Sequence, residues 1–260
     1  MSLIEDYIDV VHEETGMWAV YPPSLNVELG DYGTVEDGQF RRLGNVRQFS
    51  SCHFEEQMRG QGLSREYKSK RVRKVAMGAG AKIDAGIVTA HPALELSFAT
   101  DFSVYFAVAG CSNWQITNLQ ALSEQIVALY REDRWKKEWR LITSIFKATN
   151  LTVVISKESE SKLVLEASAD VPRIDMADAN LSLHVLFDSS SSDQWITEKP
   201  RDGQDPFTPF YWAHRLTTNI FGRNPSLEGL EAAALPASEE PLALALAERT
   251  RDPLDGWRRS

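Results

Sequence analysis

Residues 94 to 111 read LELSFATDFSVYFAVAGC, and the fold is decided there. Apolar side chains recur at Leu94, Leu96, Phe98, Phe102, Val104, Phe106 and Val108, and the stretch closes on a continuous apolar end. Aromatic and β-branched residues at a period of two predict a strand rather than a helix. Upstream, Arg65 to Ile83 predicts a second long strand, opening with REYKSKRVRK. Arg65, Lys68, Lys70, Arg71, Arg73 and Lys74 crowd around the single acid Glu66 before the strand fades into small residues at 77–81. Alternation sets Tyr67, Arg71, Arg73 and Val75 on one face and Lys68, Lys70, Val72, Lys74 and Ala76 on the other. The whole chain carries a net charge of −9. A local basic patch on such an acidic background marks an anionic partner without saying which.

With 260 residues, 43% hydrophobic and 25% charged, the chain is long enough to bury a sizeable core. The expected division is one domain over 1–222 and a linker with a short tail over 223–260, where prolines, alanines and acids replace core-forming residues. Cys52 and Cys111 stand in no metal-spaced cluster and are expected as reduced thiols. The start of the chain lacks the apolar core of a signal sequence, and no run reaches the roughly 18 apolar residues of a spanning helix, so a soluble chain is expected.

Outward from the two strands, Ser2 to Glu5 matches a capping box, and Ile4, Ile8 and Val11 with Leu3, Tyr7 and Val10 predict an amphipathic helix ending near Gly16. Such a helix either docks on the core or lies on a membrane surface. Met17 to Leu29 predicts a strand pair broken by Pro22 and Pro23, 30–33 a turn, Phe40 to Phe49 a short strand and Ser50 to Gly62 a loop. Thr117 opens a second capping box, and Leu119, Leu122, Ile126 and Leu129 share one helical face. Trp139 to Phe146 resumes a strand; Thr149-Asn150 predicts a turn into Leu151 to Ile155, and a polar tip at 157–161 predicts a hairpin with Lys162 to Ala167. A strand over 181–187 follows, and Phe207 to Phe221 is expected as a helix or irregular closing segment.

Catalytic and metal-binding patterns are missing from the sequence. His12, His53, His91, His184 and His214 are scattered without ligand spacing, and no G-x-S-x-G or H-E-x-x-H occurs. The glycines of Met77 to Lys82 lack the Gly-Lys-Ser/Thr ending of a phosphate loop and suggest a bend instead. The expectation is a chain that is not an enzyme and takes no cofactor and no metal.

The order of these parts resembles a known family. A capped amphipathic N-terminal helix, a basic strand ending in AKIDAG (81–86), a long alternating strand, the helix L-x-x-L-x-x-x-I-x-x-L (119–129), a charged break, the strand WRLITSIFKAT (139–149) and a further hairpin together resemble the pore-forming domain of the gasdermins. The match is to the short fungal and bacterial members without a large C-terminal repressor domain, and it covers Ser2 to about Phe187. No cysteine lies near the N-terminus, where several bacterial members carry a lipidated one. The resemblance implies an α+β fold: a twisted, mostly antiparallel sheet with an amphipathic N-terminal helix and flanking helices. It implies a cell-death effector, cytoplasmic when inactive, that binds acidic phospholipids at the inner plasma membrane, oligomerises and inserts hairpins that close a barrel, since an open sheet edge in lipid leaves backbone groups unpaired.

Carried onto this chain, lipid binding falls to Arg65, Lys68, Lys70, Arg71, Arg73 and Lys74, and secondarily to Arg134, Lys136, Lys137 and Arg140. Membrane insertion falls to Phe102, Val104, Tyr105, Phe106 and Val108, paired with a strand from Lys74 to Ile83, and to a second hairpin of Leu141 to Ile155 with Lys162 to Ala169. Leu242, Leu244, Leu246 and Trp257 are expected to form an autoinhibitory contact, relieved by a protease or by pairing with a related chain, as fungal relatives do in allorecognition. The competing class is a nucleic-acid-binding module that tracks phosphates with the basic 65–74 strand and stacks bases on Tyr67. The net acidity and the missing nucleic-acid motifs argue against it, and the family reading names no nucleic acid as partner.

Overall fold

The computed structural model describes residues 3–23, 25–69, 72–82, 86, 88–168, 174, 183–189, 193–197, 205–217 and 226–228. In chain order the elements are α1 (Leu3–Thr15), β1 (Trp18–Ala19), β2 (Asp31–Glu36), β3 (Gln39–Asn45), β4 (Glu56–Lys68), β5 (Val72–Met77), β6 (Ala93–Phe98), β7 (Ser103–Ile116), α2 (Leu119–Arg131), β8 (Arg140–Ala148), β9 (Asn150–Ser156), β10 (Ser161–Ala167), β11 (Leu183–Asp188), β12 (Asp193–Thr197), β13 (Phe207–Thr217) and β14 (Ser226–Glu228). The fold is α+β and mostly antiparallel, as expected, but its strands divide into two sheets.

β7 is the spine of the larger sheet. One edge pairs with β4 along its length; the other pairs with β9 over 103–109 and with β8 over 112–115. The remaining strands extend this sheet outward through β13 and β2 on β8 and through β12 on β9. The smaller sheet has the order β5-β6-β10-β11.

Alternation along β7 sends its side chains into two different cores. Val104, Phe106 and Val108 join Val153 and Ile155 beneath α1, whose Tyr7, Ile8 and Val11 are fully buried against them. The helix is therefore docked, and it stops where Gly16 takes a left-handed φ of 70° and donates its N–H to the His12 carbonyl at 2.7 Å. Tyr105 and Ala107 point the opposite way, into a core shared with Leu94, Leu96, Phe98, Leu163 and Leu165 of the smaller sheet. Farther along, α2 lays Leu122, Ile126 and Leu129 on a third core with Ile116, Leu141 and Ile145.

Several sequence expectations are corrected. The strand read as 94–111 breaks at 99–102, and the basic strand read as 65–83 is divided between β4, ending at Lys68, and β5, beginning at Val72, each passing from one sheet to the other. β4 begins at Glu56, inside the expected loop; its polar Gln57, Arg59 and Gln61 sit on a sheet edge that water reaches. β7 pairs with β4, β8 and β9 rather than with 74–83, and β9 and β10 do not form a hairpin: 157–160 is a bend between sheets. Thr149 is no reversal either, because β8 and β9 continue along the same edge of β7 in one register. A bend and a hairpin tip have the same Ser/Glu-rich composition, and only pairing distinguishes them.

The 30–33 turn gives way to β2 at Asp31, and 207–217 is strand β13 paired with β8, not a helix. Among the described residues of 17–29, only β1 forms. α2 is preceded by Asn118 without a side-chain cap bond; Asn118 Oδ1 instead accepts from the Glu55 N–H at 2.8 Å. The Ser2 cap and the tail contacts at Leu242, Leu244, Leu246 and Trp257 lie outside the described residues.

Candidate functional site

Four strands of the larger sheet lie in the order β4-β7-β9-β12, and their chain-continuous partners in the smaller sheet lie in the order β5-β6-β10-β11. Position by position the two orders are the same ribbon. β4 runs into β5 through 69–71, β6 into β7 through 99–102, β9 into β10 through 157–160, and β11 precedes β12 across 189–192. The ribbon is bent once so that its far half folds over β7 and β9. Its inner face is apolar: Leu94, Leu96, Phe98, Leu163 and Leu165 are at most 1% exposed. Its outer face carries Glu95, Ser97, Lys162 and Glu166, with Ser97 Oγ donating to Glu95 at 2.9 Å.

Serines hold the bend. Ser103 Oγ donates to the Thr100 carbonyl at 2.7 Å, and Ser156 Oγ donates to the Glu158 carbonyl at 2.6 Å. Ser161 Oγ reaches the same Glu158 carbonyl at 3.0 Å. Ser103 and Ser156 are cross-strand partners, so the two bends face each other.

Near the free end of the ribbon, the Glu166 carboxylate joins two parts of the chain. It accepts from the Ala90 and His91 N–H groups at 3.2 Å each, and lies 2.8 Å from His184 Nε2. Burial alone pushes this carboxyl up, but the hydrogen bonds from His91, His184 and Ala90 outweigh it and hold the group below its ordinary range.

The basic run is shared between the end of β4 and the start of β5. Lys68 ends β4 and Arg73 is the second residue of β5; both side chains are exposed. Lys74 faces inward and pairs with Glu66 of β4 at 2.5 Å. Arg65 contributes backbone to β4, its side chain lying outside the described residues together with Lys70 and Arg71. The second basic group is partly neutralised: Arg134 pairs with Glu132 at 3.1 Å, Lys136 with Asp133 at 2.6 Å, and Arg140 donates to the Glu138 carbonyl at 2.9 Å. Lys137 is exposed beside them. Of the five residues assigned to insertion, Val104, Tyr105, Phe106 and Val108 are buried, and Phe102, at the bend, is 42% exposed.

A cleft of about 270 Å³ holds the Arg47–Glu56 ion pair and Lys147 above the Trp114 ring, with no His, Ser or Cys in its lining. Among the described residues no cluster of His, Cys, Asp and Glu is arranged for a metal, and no helix is long and apolar enough to cross a membrane. Cys52 and Cys111 are buried and form no disulfide. The bend was the feature that sequence reasoning missed, although Ser103, Ser156 and Ser161 mark its edges.

No protein-family model and no curated protein matches the chain. Among solved structures it is similar to a bacterial gasdermin from Bradyrhizobium tropiciagri, with 10% identity and a TM-score of 0.36, covering 86% of this chain and 90% of that one. It is also similar to the gasdermin A3 membrane pore, with 8% identity and a TM-score of 0.28, covering 91% of this chain and 97% of that one.

Proposed function

We propose that this chain is a pore-forming effector of cell death that binds acidic phospholipid, unfolds its bent ribbon into two long hairpins and assembles with further copies into a membrane barrel. The observation that carries the reading is the shared strand order of the two sheets. A ribbon bent once has a straight alternative that keeps every strand neighbour. One hairpin is β4–β5 with β6–β7, and the other is β9–β10 with β11–β12.

The lengths support the idea. A straight strand over 93–116 extends roughly 75–80 Å at about 3.3 Å per residue, against a hydrocarbon core of about 30 Å. Energetics support it as well. Exposing Leu94, Leu96, Phe98, Leu163 and Leu165 to water costs on the order of 10 kcal/mol at about 2 kcal/mol each. An exposed or half-exposed ion pair such as Lys74–Glu66 is worth about 1 kcal/mol or less. Apolar burial therefore keeps the ribbon folded, and lipid is an alternative apolar partner.

Assembly follows from the edges. Among the described residues, β4 and β5 have a free edge on one side of the ribbon and β11 and β12 on the other. Neighbouring strands are all antiparallel and four in number, so one copy's β12 edge meets the next copy's β4 edge with antiparallel alternation intact. Lys68 and Arg73, with Lys70 and Arg71 between them in the sequence, supply attraction to an anionic leaflet, about 1 kcal/mol per residue. In this reading 1–222 is the pore-forming unit, and the tail with Leu242 to Trp257 restrains it until a protease or a related chain relieves the contact.

Dye release from vesicles with and without phosphatidylserine, for the full chain and for a chain ending at Gly222, tests the proposal. Release confined to anionic vesicles and stronger for the short chain is expected. Release equal for both chains removes the restraint by the tail. No release from either chain, combined with retention on nucleic acid at matched salt, overturns the pore in favour of a nucleic-acid-binding module.

A further inference from the structure

The ladder between 93–116 and 144–166 keeps one register on both sides of the bend. In the larger sheet Ser112 faces Lys147, Ala109 faces Asn150 and Ser103 faces Ser156; in the smaller sheet Phe98 faces Ser161 and Ala93 faces Glu166. Between Ser103 and Phe98 lie the four residues 99–102, and between Ser156 and Ser161 lie the four residues 157–160. The two bends are equal in length and opposite each other. The adjacent ladder lacks this property: Lys68 faces Tyr105 but Val72 faces Phe98, so three residues on one strand oppose six on the other.

From this matched register we infer that residues 99–102 and 157–160 form a paired hinge, and that opening closes them into one uninterrupted ladder, 93–116 against 144–166, without any slip of register. The inference rests on the pore-forming reading above and specifies how its central strands move.

Side-chain polarity points the same way. In a straight strand all even positions share a face. Leu94, Leu96, Phe98, Phe102, Val104, Phe106 and Val108 then make one apolar surface interrupted by Thr100, while Glu95, Ser97, Asp101, Ser103 and Tyr105 line the other with Ala99 and Ala107. The folded molecule does not display that pattern, because Leu94, Leu96 and Phe98 pack with the odd-numbered Tyr105 and Ala107. Across the bend the alternation is inverted. Phe102, with φ 56°, and Glu160, with φ 57°, sit there in the left-handed region that non-glycine residues rarely adopt. Folding at the hinge thus places two non-glycine residues in a disfavoured conformation and leaves the buried Tyr105 hydroxyl without a hydrogen-bond partner. Straightening returns both residues to strand geometry and moves Tyr105 to the polar face. In the bent form the two halves of this period serve separate cores, Leu94, Leu96 and Phe98 between the sheets and Val104, Phe106 and Val108 beneath α1; in a straight strand they join into one face that suits lipid on one side and water on the other.

The test joins residue pairs with a short, reducible bis-thiol linker in the full chain and follows dye release from phosphatidylserine vesicles before and after reduction. Ser97→Cys with Lys162→Cys bridges the central ladder, whose register is unchanged by opening; release at the unlinked rate is expected. Glu66→Cys with Lys74→Cys bridges the two sheets; release is expected to fall at least tenfold and to return on reduction. Loss of release with the 97–162 link that reduction restores overturns the conserved register, and release undiminished by the 66–74 link overturns the hinge. Silence of the unlinked and reduced chains overturns the pore reading itself, so the two failures are distinguishable. An independent rate comparison uses Glu160→Thr, disfavoured in the left-handed region, and Glu160→Gly, tolerant of it. Threonine is expected to speed release several-fold relative to glycine; the reverse order overturns the hinge.

Discussion

Lys74 Nζ donates to Glu66 Oε2 at 2.5 Å, joining β5 to β4 across the space between two sheets, although the residues are neighbours along one basic run. The pair closes one rim of the core formed by Leu94, Leu96, Phe98 and Tyr105. Its side chains are 24% and 32% exposed, so its worth is about 0.2–1 kcal/mol, far less than the apolar core it borders. Glu66→Lys is expected to lower stability by about 1 kcal/mol through like-charge contact and to speed dye release a few-fold. The swap Glu66→Lys with Lys74→Glu restores both; a double variant no better than the single one disproves the coupling.

Tyr105 is fully buried and its hydroxyl has no partner, the Glu66 charge and above all burial holding it protonated. An unpaired buried hydroxyl costs about 1–3 kcal/mol. Tyr105→Phe is therefore expected to unfold at equal or higher urea concentration than the parent chain. A loss of stability would reveal a partner for the hydroxyl.

His214 lies on β13, 6% exposed, with Nδ1 2.7 Å from Thr143 Oγ1. Burial pushes its imidazole down from 6.5 to about 4. The unfolded chain therefore binds a proton near pH 6.5 that the folded chain refuses until about pH 4. Stability is unaffected at pH 7 and falls between these values, by about 3 kcal/mol at the lower end. Urea titrations of His214→Gln at pH 7 and pH 4.5 check this: the variant's pH slope should be shallower than the parent's.

Lys68 at the end of β4 and Arg73 near the start of β5 have exposed side chains. Replacing each by Glu is expected to weaken sedimentation with phosphatidylserine vesicles by at least about fivefold per residue, from about 1 kcal/mol of attraction each. Urea stability should be unchanged, since neither side chain is buried. Equal binding of the variants at low salt would remove these two residues from the membrane-facing surface.

Local pattern was enough for the two helices, since Tyr7, Ile8 and Val11, and Leu122, Ile126 and Leu129, recur at the spacing of a helical face. It was also enough for the strand character of 94–98 and 103–111 and for the basic cluster at 65–74. These follow from side-chain periodicity and charge, which each segment carries by itself. Pairing and bending do not. Which strand lies beside β7, that 157–160 is a bend and not a hairpin tip, and that Lys74 faces Glu66 across two sheets all depend on contacts between residues far apart in the chain or on opposite sides of a bend. The period-two stretch over 94–108 shows the division most plainly. Its alternation determined a strand with one apolar face, whereas the tertiary structure broke that strand at 99–102 and inverted its faces, because in water Leu94, Leu96 and Phe98 are buried by folding over Tyr105 and Ala107 while Val104, Phe106 and Val108 are buried beneath α1.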